Sequence, residues 1–175
     1  MPITQNNKTS QERKSIRHQY YDYSRNGYYF VTICTYEKKH LFGEIINERM
    51  QRNELGNVVQ NLWNTLETET IKPSNKIVMP NHFHGIIRIQ SELYDNQIIS
   101  NGHNLIERRK MLLPKVIGKF KMITAKQINQ ILNRKGAPVW QRNYHDHIIR
   151  DDREYYNILE YIEKNPESWK KDKYF

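Results

Sequence analysis

Cysteine is nearly absent: Cys34 is the one thiol in 175 residues. Neither an internal disulfide framework nor a multi-cysteine zinc site can be built from it. Long apolar runs are missing as well, and no stretch approaches the roughly 20 apolar residues of a membrane-spanning helix. Glycine is scarce, with 7 residues, and no Gly-rich loop of the phosphate-cradling type occurs, so no nucleotide cofactor is expected. The polar segment from Met1 to Lys14 carries no apolar core of a secretory signal, and the expectation is a soluble intracellular protein. Apolar residues are lean at 37%, but 12 Tyr and 3 Trp supply bulk for a modest core and argue against global disorder. The length suits one domain, read here as residues 13–175 behind a polar tail, 1–12.

Positive charge is what the chain has in excess. It carries 28 Lys+Arg against 19 Asp+Glu, a net charge of +9, which favours a polyanionic partner, nucleic acid before a membrane surface. The charge is clustered. Lys8, Arg13, Lys14 and Arg17 lie near the N-terminus, and Arg108, Arg109, Lys110, Lys115, Lys119, Lys121 and Lys126 form a second run.

Pattern reading gives the order β-β-α-β-β-α-β-α. Tyr28–Tyr36 is β-branched and aromatic behind an Asn26-Gly27 turn, and Gly43–Met50 reads as a shorter strand. Arg52–Thr70 has apolar residues at helical spacing, with Pro73 to close it. Lys76–Met79 and Phe83–Ile89 flank Pro80-Asn81, and Ser91–His103 is a polar, Asn-rich loop. Pro114–Leu132 is helical, Val139–Ile149 extended, and Asp152–Lys164 a last helix stopped at Asn165-Pro166. Hairpins mixed with helices imply an α+β fold, an antiparallel sheet covered by helices on one face.

Three constellations can carry chemistry. In MPNHFHGIIRI, strand alternation puts His82, His84, Ile86 and Arg88 on one face and Phe83, Gly85, Ile87 and Ile89 on the other. Two imidazoles about 7 Å apart along a strand face can converge on one divalent metal, although two ligands alone are too few. His145-Asp146-His147 has the same spacing, and composition does not rank the two pairs; hydrogen-bonded histidines without a ligand fit either. In REYYNILEYIEKNP, Tyr155, Ile158, Leu159 and Ile162 form the core stripe, and Tyr161 falls on a flank with Asn165 one turn further on. A packing tyrosine belongs on the stripe, so Tyr161 is a candidate exposed hydroxyl, against the plainer reading of a boundary tyrosine with its hydroxyl in water. Because Asn165 precedes Pro166, it is expected to leave helical geometry. On the helix from Pro114, Lys115, Lys119 and Lys126 share a flank away from the apolar side. They are either merely solvated or a track for phosphates assisted by Gln127 and Asn129. Tyr20, Tyr21 and Tyr23 would either stack on unpaired bases or pack against the first strand.

Taken together, the stretches RKSIRHQYYDYSRNGYYFVTICTYEKKHLFG, KIVMPNHFHGIIRI and VWQRNYHDHIIRDDREYYNILEYIEKNP span residues 13–166. They resemble the single-tyrosine HUH transposases, in particular the REP-associated tyrosine transposases of bacteria. The resemblance implies a ferredoxin-like α+β core presenting His82 and His84 as metal ligands, in preference to His145 and His147. It also implies Tyr161 as nucleophile and Asn165 as third ligand, with Tyr155 or Tyr156 in reserve. Related transposases often carry Gln where this chain has Asn165.

The implied partner is single-stranded DNA with a hairpin, met by Arg13, Lys14, Arg17, Lys115, Lys119 and Lys126. The implied cofactor is Mg²⁺ or Mn²⁺, and the implied setting is the bacterial cytoplasm, associated with the nucleoid. The implied chemistry is cleavage and rejoining through a 5′-phosphotyrosine, which conserves the bond energy and needs no ATP. A catalytically weak DNA-binding protein on the same fold is the alternative, and a hydrolase using water is a third class. Monomer and homodimer both remain open.

Overall fold

In the computed structural model the residues described are 21–91 and 110–174. The polar tail 1–12, the basic residues Arg13, Lys14 and Arg17, and nearly all of the Asn-rich loop lie outside them. Among the described residues, six strands and three long helices follow in the order β1 (Gly27–Cys34), β2 (Gly43–Ile46), β3 (Arg49–Arg52), α1 (Glu54–Asn64), β4 (Ile71–Val78), β5 (His82–Ile89), α2 (Leu112–Ile131), β6 (His145–Ile149) and α3 (Asp152–Lys164). Strands β4-β5-β1-β6 make one antiparallel sheet, and β2-β3 a separate hairpin. The α+β class with an antiparallel sheet is as expected. No helix among the described residues is long and apolar enough to cross a membrane.

Alternation on the two central strands divides the protein. Tyr29, Val31 and Ile33 of β1 and Phe83, Ile87 and Ile89 of β5 enter a large core beneath α1 and α2, with Trp63 and Phe120 at its centre. Ile86 of β5 points the other way, into a smaller cluster with Ile149 and Ile162, edged by Tyr28, Phe30, Tyr155, Ile158 and Leu159. Helices therefore cover both faces rather than one. The amphipathic stripe of α3 has its own sheet face to bury, and α1 and α2 already fill the other.

Other expectations are corrected locally. Gly43–Met50 is not one strand: Asn47 and Glu48 turn with φ of 49° and 61°, making a hairpin without glycine at its tip. The helix read as Arg52–Thr70 is shorter, because Asn53 caps it by accepting from Gly56 N at 3.0 Å and it ends at Asn64. Pro73 does not close that helix. It lies in edge strand β4, where the register shifts between Pro73 and Lys76, a place that tolerates a missing N–H. Gly56 is required where it stands, since a Cβ would come within 2.2 Å of the Phe42 carbonyl oxygen. The segment read as extended from Val139 pairs as a strand only over His145–Ile149, with a single bridge between Trp140 and Thr35. Asp152–Lys164 is as read, capped by Asp151, which accepts from Glu154 N at 2.8 Å.

Candidate active site at the histidine face of the sheet

Register sets the site's first row. Thr32 of β1 pairs with His84 of β5 on one side and His145 of β6 on the other, and Cys34 pairs with His82. Cross-strand partners share a face, so these side chains stand on the α3 side. The His82 and His84 rings lie 4.5 Å apart, and both residues are 0% exposed.

From α3, Tyr161 reaches the pair: its hydroxyl lies 3.3 Å from His84 Nε2, and its ring packs edge-on against both His84 and Phe30. Asn165 arrives one turn later. Its backbone stays helical at φ −58°, ψ −40°, contrary to the expectation from Pro166, so its side chain remains in line with Tyr161 and is fully buried. The reserve tyrosines point elsewhere. Tyr155 packs on Tyr28, and Tyr156 is 67% exposed.

The segment after α3 completes the enclosure, and sequence reasoning did not foresee it. The chain returns across the histidines so that Tyr174 contacts the rings of His82, His84 and His145, and Trp169 contacts His82. Asp172 Oδ2 accepts from Asn165 Nδ2 at 2.9 Å and from the Tyr161 hydroxyl at 3.4 Å, while Oδ1 accepts from Tyr174 N at 2.7 Å. A cavity of about 410 Å³ opens here, bounded by His84, Tyr161, Lys171, Asp172 and Lys173. Tyr161 and Asn165 also line a second one of about 240 Å³ along α3. Lys171, Asp172 and Lys173 come from an aperiodic tail, and the only sequence hint was their alternating charge.

Burial dominates the electrostatics. It lowers the His82 pKa to about 4, partly opposed by the Asp172 charge and by Asn165. Burial, then the neighbouring His82, pushes His84 well below the usual imidazole range. Both rings are thus neutral at pH 7, the form that ligates a metal. Burial and the nearby Asp172 carboxylate raise the Tyr161 phenol above its ordinary value.

Two observations test whether a divalent ion suits this place. Among the described residues, His82 Nε2 and Asn165 Oδ1 are buried and find no hydrogen-bond partner, a costly arrangement unless something else satisfies them. Among the described residues, His82, His84 and Asp172 form a group whose ligand atoms lie within 4.8 Å of one another. Two imidazoles with an amide or carboxylate oxygen make a mixed N/O set that fits such an ion without selecting which.

The remaining candidates lie apart from this site. His147 Nε2 meets Glu154 Oε1 at 2.6 Å, a surface hydrogen bond. Lys115, Lys119 and Lys126 are exposed on α2, and the sheet stands between that helix and the histidines. Asn129 is occupied at the end of α2, donating to the Ala137 carbonyl and accepting from Arg134 Nε. Tyr21 packs edge-to-face on Tyr23 and Tyr29, and Tyr23 lies tilted against Tyr29, rather than facing out as stacking platforms; Tyr20 lies outside the described residues.

No family model matches the chain. A protein of Haemophilus influenzae described as uncharacterised is 37% identical over 175 residues, covering 93% of each chain. The two chains belong to one family. A second protein of that organism, named "Putative REP-associated tyrosine transposase", is 26% identical over 146 residues, 83% of this chain and 73% of that one. A solved structure of a REP-associated tyrosine transposase bound to a REP hairpin superposes with a TM-score of 0.50 at 16% identity, over 90% of this chain and 74% of that chain. That last likeness is one of fold: the two share the α+β architecture. In sequence the chain is similar to one protein named as a putative REP-associated tyrosine transposase, and in fold to a solved one.

Proposed function

We propose that this protein cleaves and rejoins single-stranded DNA at hairpin sites, with Tyr161 as nucleophile and a divalent ion held by His82, His84 and Asn165. The observation that carries the reading is the meeting of a part-exposed phenol with His84 Nε2 at 3.3 Å, beside the unpartnered His82 Nε2 and Asn165 Oδ1. Asp172 offers a carboxylate to the same group, an addition to the ligand set that the resemblance implies.

A divalent ion here would supply charge neutralisation at a non-bridging phosphate oxygen and favour ionisation of the neighbouring phenol. The chain's own residues do the rest. Tyr161 Oη forms a bond to phosphorus as the P–O3′ bond breaks. Its proton passes toward Asp172 Oδ2, the acceptor it already faces, and the departing 3′ oxygen takes a proton from solvent water to become a hydroxyl. The 5′-phosphotyrosine left behind keeps the energy of the broken linkage, so a second 3′-hydroxyl can displace Tyr161 without ATP. Lys171 and Lys173, at the cavity wall, are suited to flanking phosphates, and Lys115, Lys119, Lys126, Arg13, Lys14 and Arg17 to the rest of the DNA.

Labelled single-stranded hairpin DNA incubated with Mg²⁺ or Mn²⁺ should give a covalent protein–DNA complex on a denaturing gel. Tyr161→Phe should abolish that complex while retaining hairpin binding; an adduct that survives the change would refute the assignment. Hairpin binding without catalysis is the second reading, favoured by the complete burial of His82 and His84 under the C-terminal segment. It predicts binding with no adduct at any metal concentration.

A further inference from the structure

Asn81 immediately precedes the first histidine and is 1% exposed. Its backbone carbonyl accepts from Thr35 N at 2.8 Å and from Thr35 Oγ1 at 3.0 Å, so the residue is anchored to the end of β1. At one end of its side chain, Nδ2 donates to the Tyr174 carbonyl at 2.8 Å; at the other, Oδ1 lies 2.9 Å from His82 Nδ1. A primary amide has donors on nitrogen only and acceptors on oxygen only. Turned end for end, this one would set two oxygens against each other at Tyr174 with no proton between them. The Tyr174 carbonyl thereby fixes which end faces the imidazole. Since that end is an acceptor, the hydrogen bond exists only with the proton on Nδ1. His82 Nε2 is then a bare lone pair, buried and with no hydrogen bond from the described residues. Thr32 Oγ1 sits 2.8 Å from His84 Nδ1, but a hydroxyl can donate or accept and imposes no such choice.

We propose that Asn81 is a positioning residue that locks His82 as its Nδ1–H tautomer, keeping Nε2 available to the ion, and that the C-terminal segment sets the lock through the Tyr174 carbonyl. This deepens the reading above and rests on it for the ion. Hydrogen bonds of this kind to the remote ring nitrogen fix the orientation and basicity of ligating histidines.

The test needs no DNA. Nitrogen-15 NMR of the metal-free protein near neutral pH reads which ring nitrogen of His82 carries the proton, and a titration followed by electron paramagnetic resonance reads Mn²⁺ affinity. In the wild type the proton should sit on Nδ1. Asn81→Leu should spread it over both nitrogens and weaken Mn²⁺ binding by about tenfold or more, whereas Asn81→Asp, which keeps an acceptor facing Nδ1 although it loses the donor to the Tyr174 carbonyl, should keep the proton on Nδ1 and lose less affinity than Asn81→Leu. A wild-type His82 protonated on Nε2 would overturn the proposal. So would an Asn81→Leu variant with unchanged tautomer and affinity, or equal losses in the two variants. A wild type that takes up no Mn²⁺ would refute both readings. Mn²⁺ uptake with the Nδ1–H tautomer but no covalent adduct would refute the cleavage reading and leave this one standing.

Discussion

On the α1–α2 side of β5, Phe83 and Ile87 meet Trp63 and Phe120 in ring and aliphatic contact, with nothing polar asked of them. One residue along the same strand, His82 and His84 are buried as completely on the opposite side, yet one of their nitrogens has no partner. Both faces exclude water, but one does so to gain stability and the other at a cost to it. Desolvating an unpaired polar atom costs about 1–3 kcal/mol, so the histidine face persists only because the apolar face supports it. Period-two alternation lets eight residues serve both purposes.

Emptying the apolar side should have the largest effect on folding. Trp63→Ala removes the biggest fully buried side chain and should lower unfolding free energy by about 3–5 kcal/mol, read from urea denaturation. A drop below about 1 kcal/mol would mean that stability does not reside there.

The histidine side should respond to pH instead. With the folded His82 pKa near 4 and an unfolded value near 6.5, the unfolded chain binds its proton first as pH falls. Stability of the metal-free protein is therefore full above about pH 6.5 and drains as pH falls toward about 4, by at most about 3 kcal/mol. His84, shifted in the same direction, adds to the slope. Urea unfolding across that window in the presence of a chelator measures it, and His82→Leu should flatten it. An unaltered slope would show that this ring is not held neutral.

The smallest effects should come from surface charge. Replacing Lys171 and Lys173 by alanine, or Lys115, Lys119 and Lys126 by alanine, should change stability by less than about 0.5 kcal/mol. For every DNA phosphate that a removed lysine had neutralised, the salt slope of hairpin binding should become shallower by about 0.7. The cavity-side pair should also lower the yield of adduct per bound DNA, because those two lysines, unlike Lys115, Lys119 and Lys126, line the cavity at Tyr161. Equal yields from both sets would erase the distinction between the faces.

Much of this was legible in the residues. HFHGIIRI states its two faces outright, and the stripe of α3 leaves Tyr161 off the core, because both patterns are local and periodic. The helix on the second face was not legible, since a stripe says that it must be buried but not against what. Asp172, Lys171 and Lys173 were invisible for a related reason. They gain meaning only when the chain after Pro166 doubles back, and no periodicity announces that. The β2–β3 turn escaped because Asn47-Glu48 reaches positive φ without the glycine that usually marks it.

The ring of Tyr174 rests against three imidazoles. Any chain that continues past Tyr174 leaves from beside them. A hexahistidine purification handle placed there would bring rival nitrogen donors to the same neighbourhood, and titrations of Mn²⁺ on such a fusion would count the handle along with the protein. A handle before Met1, cut away before measurement, leaves those titrations to the native side chains.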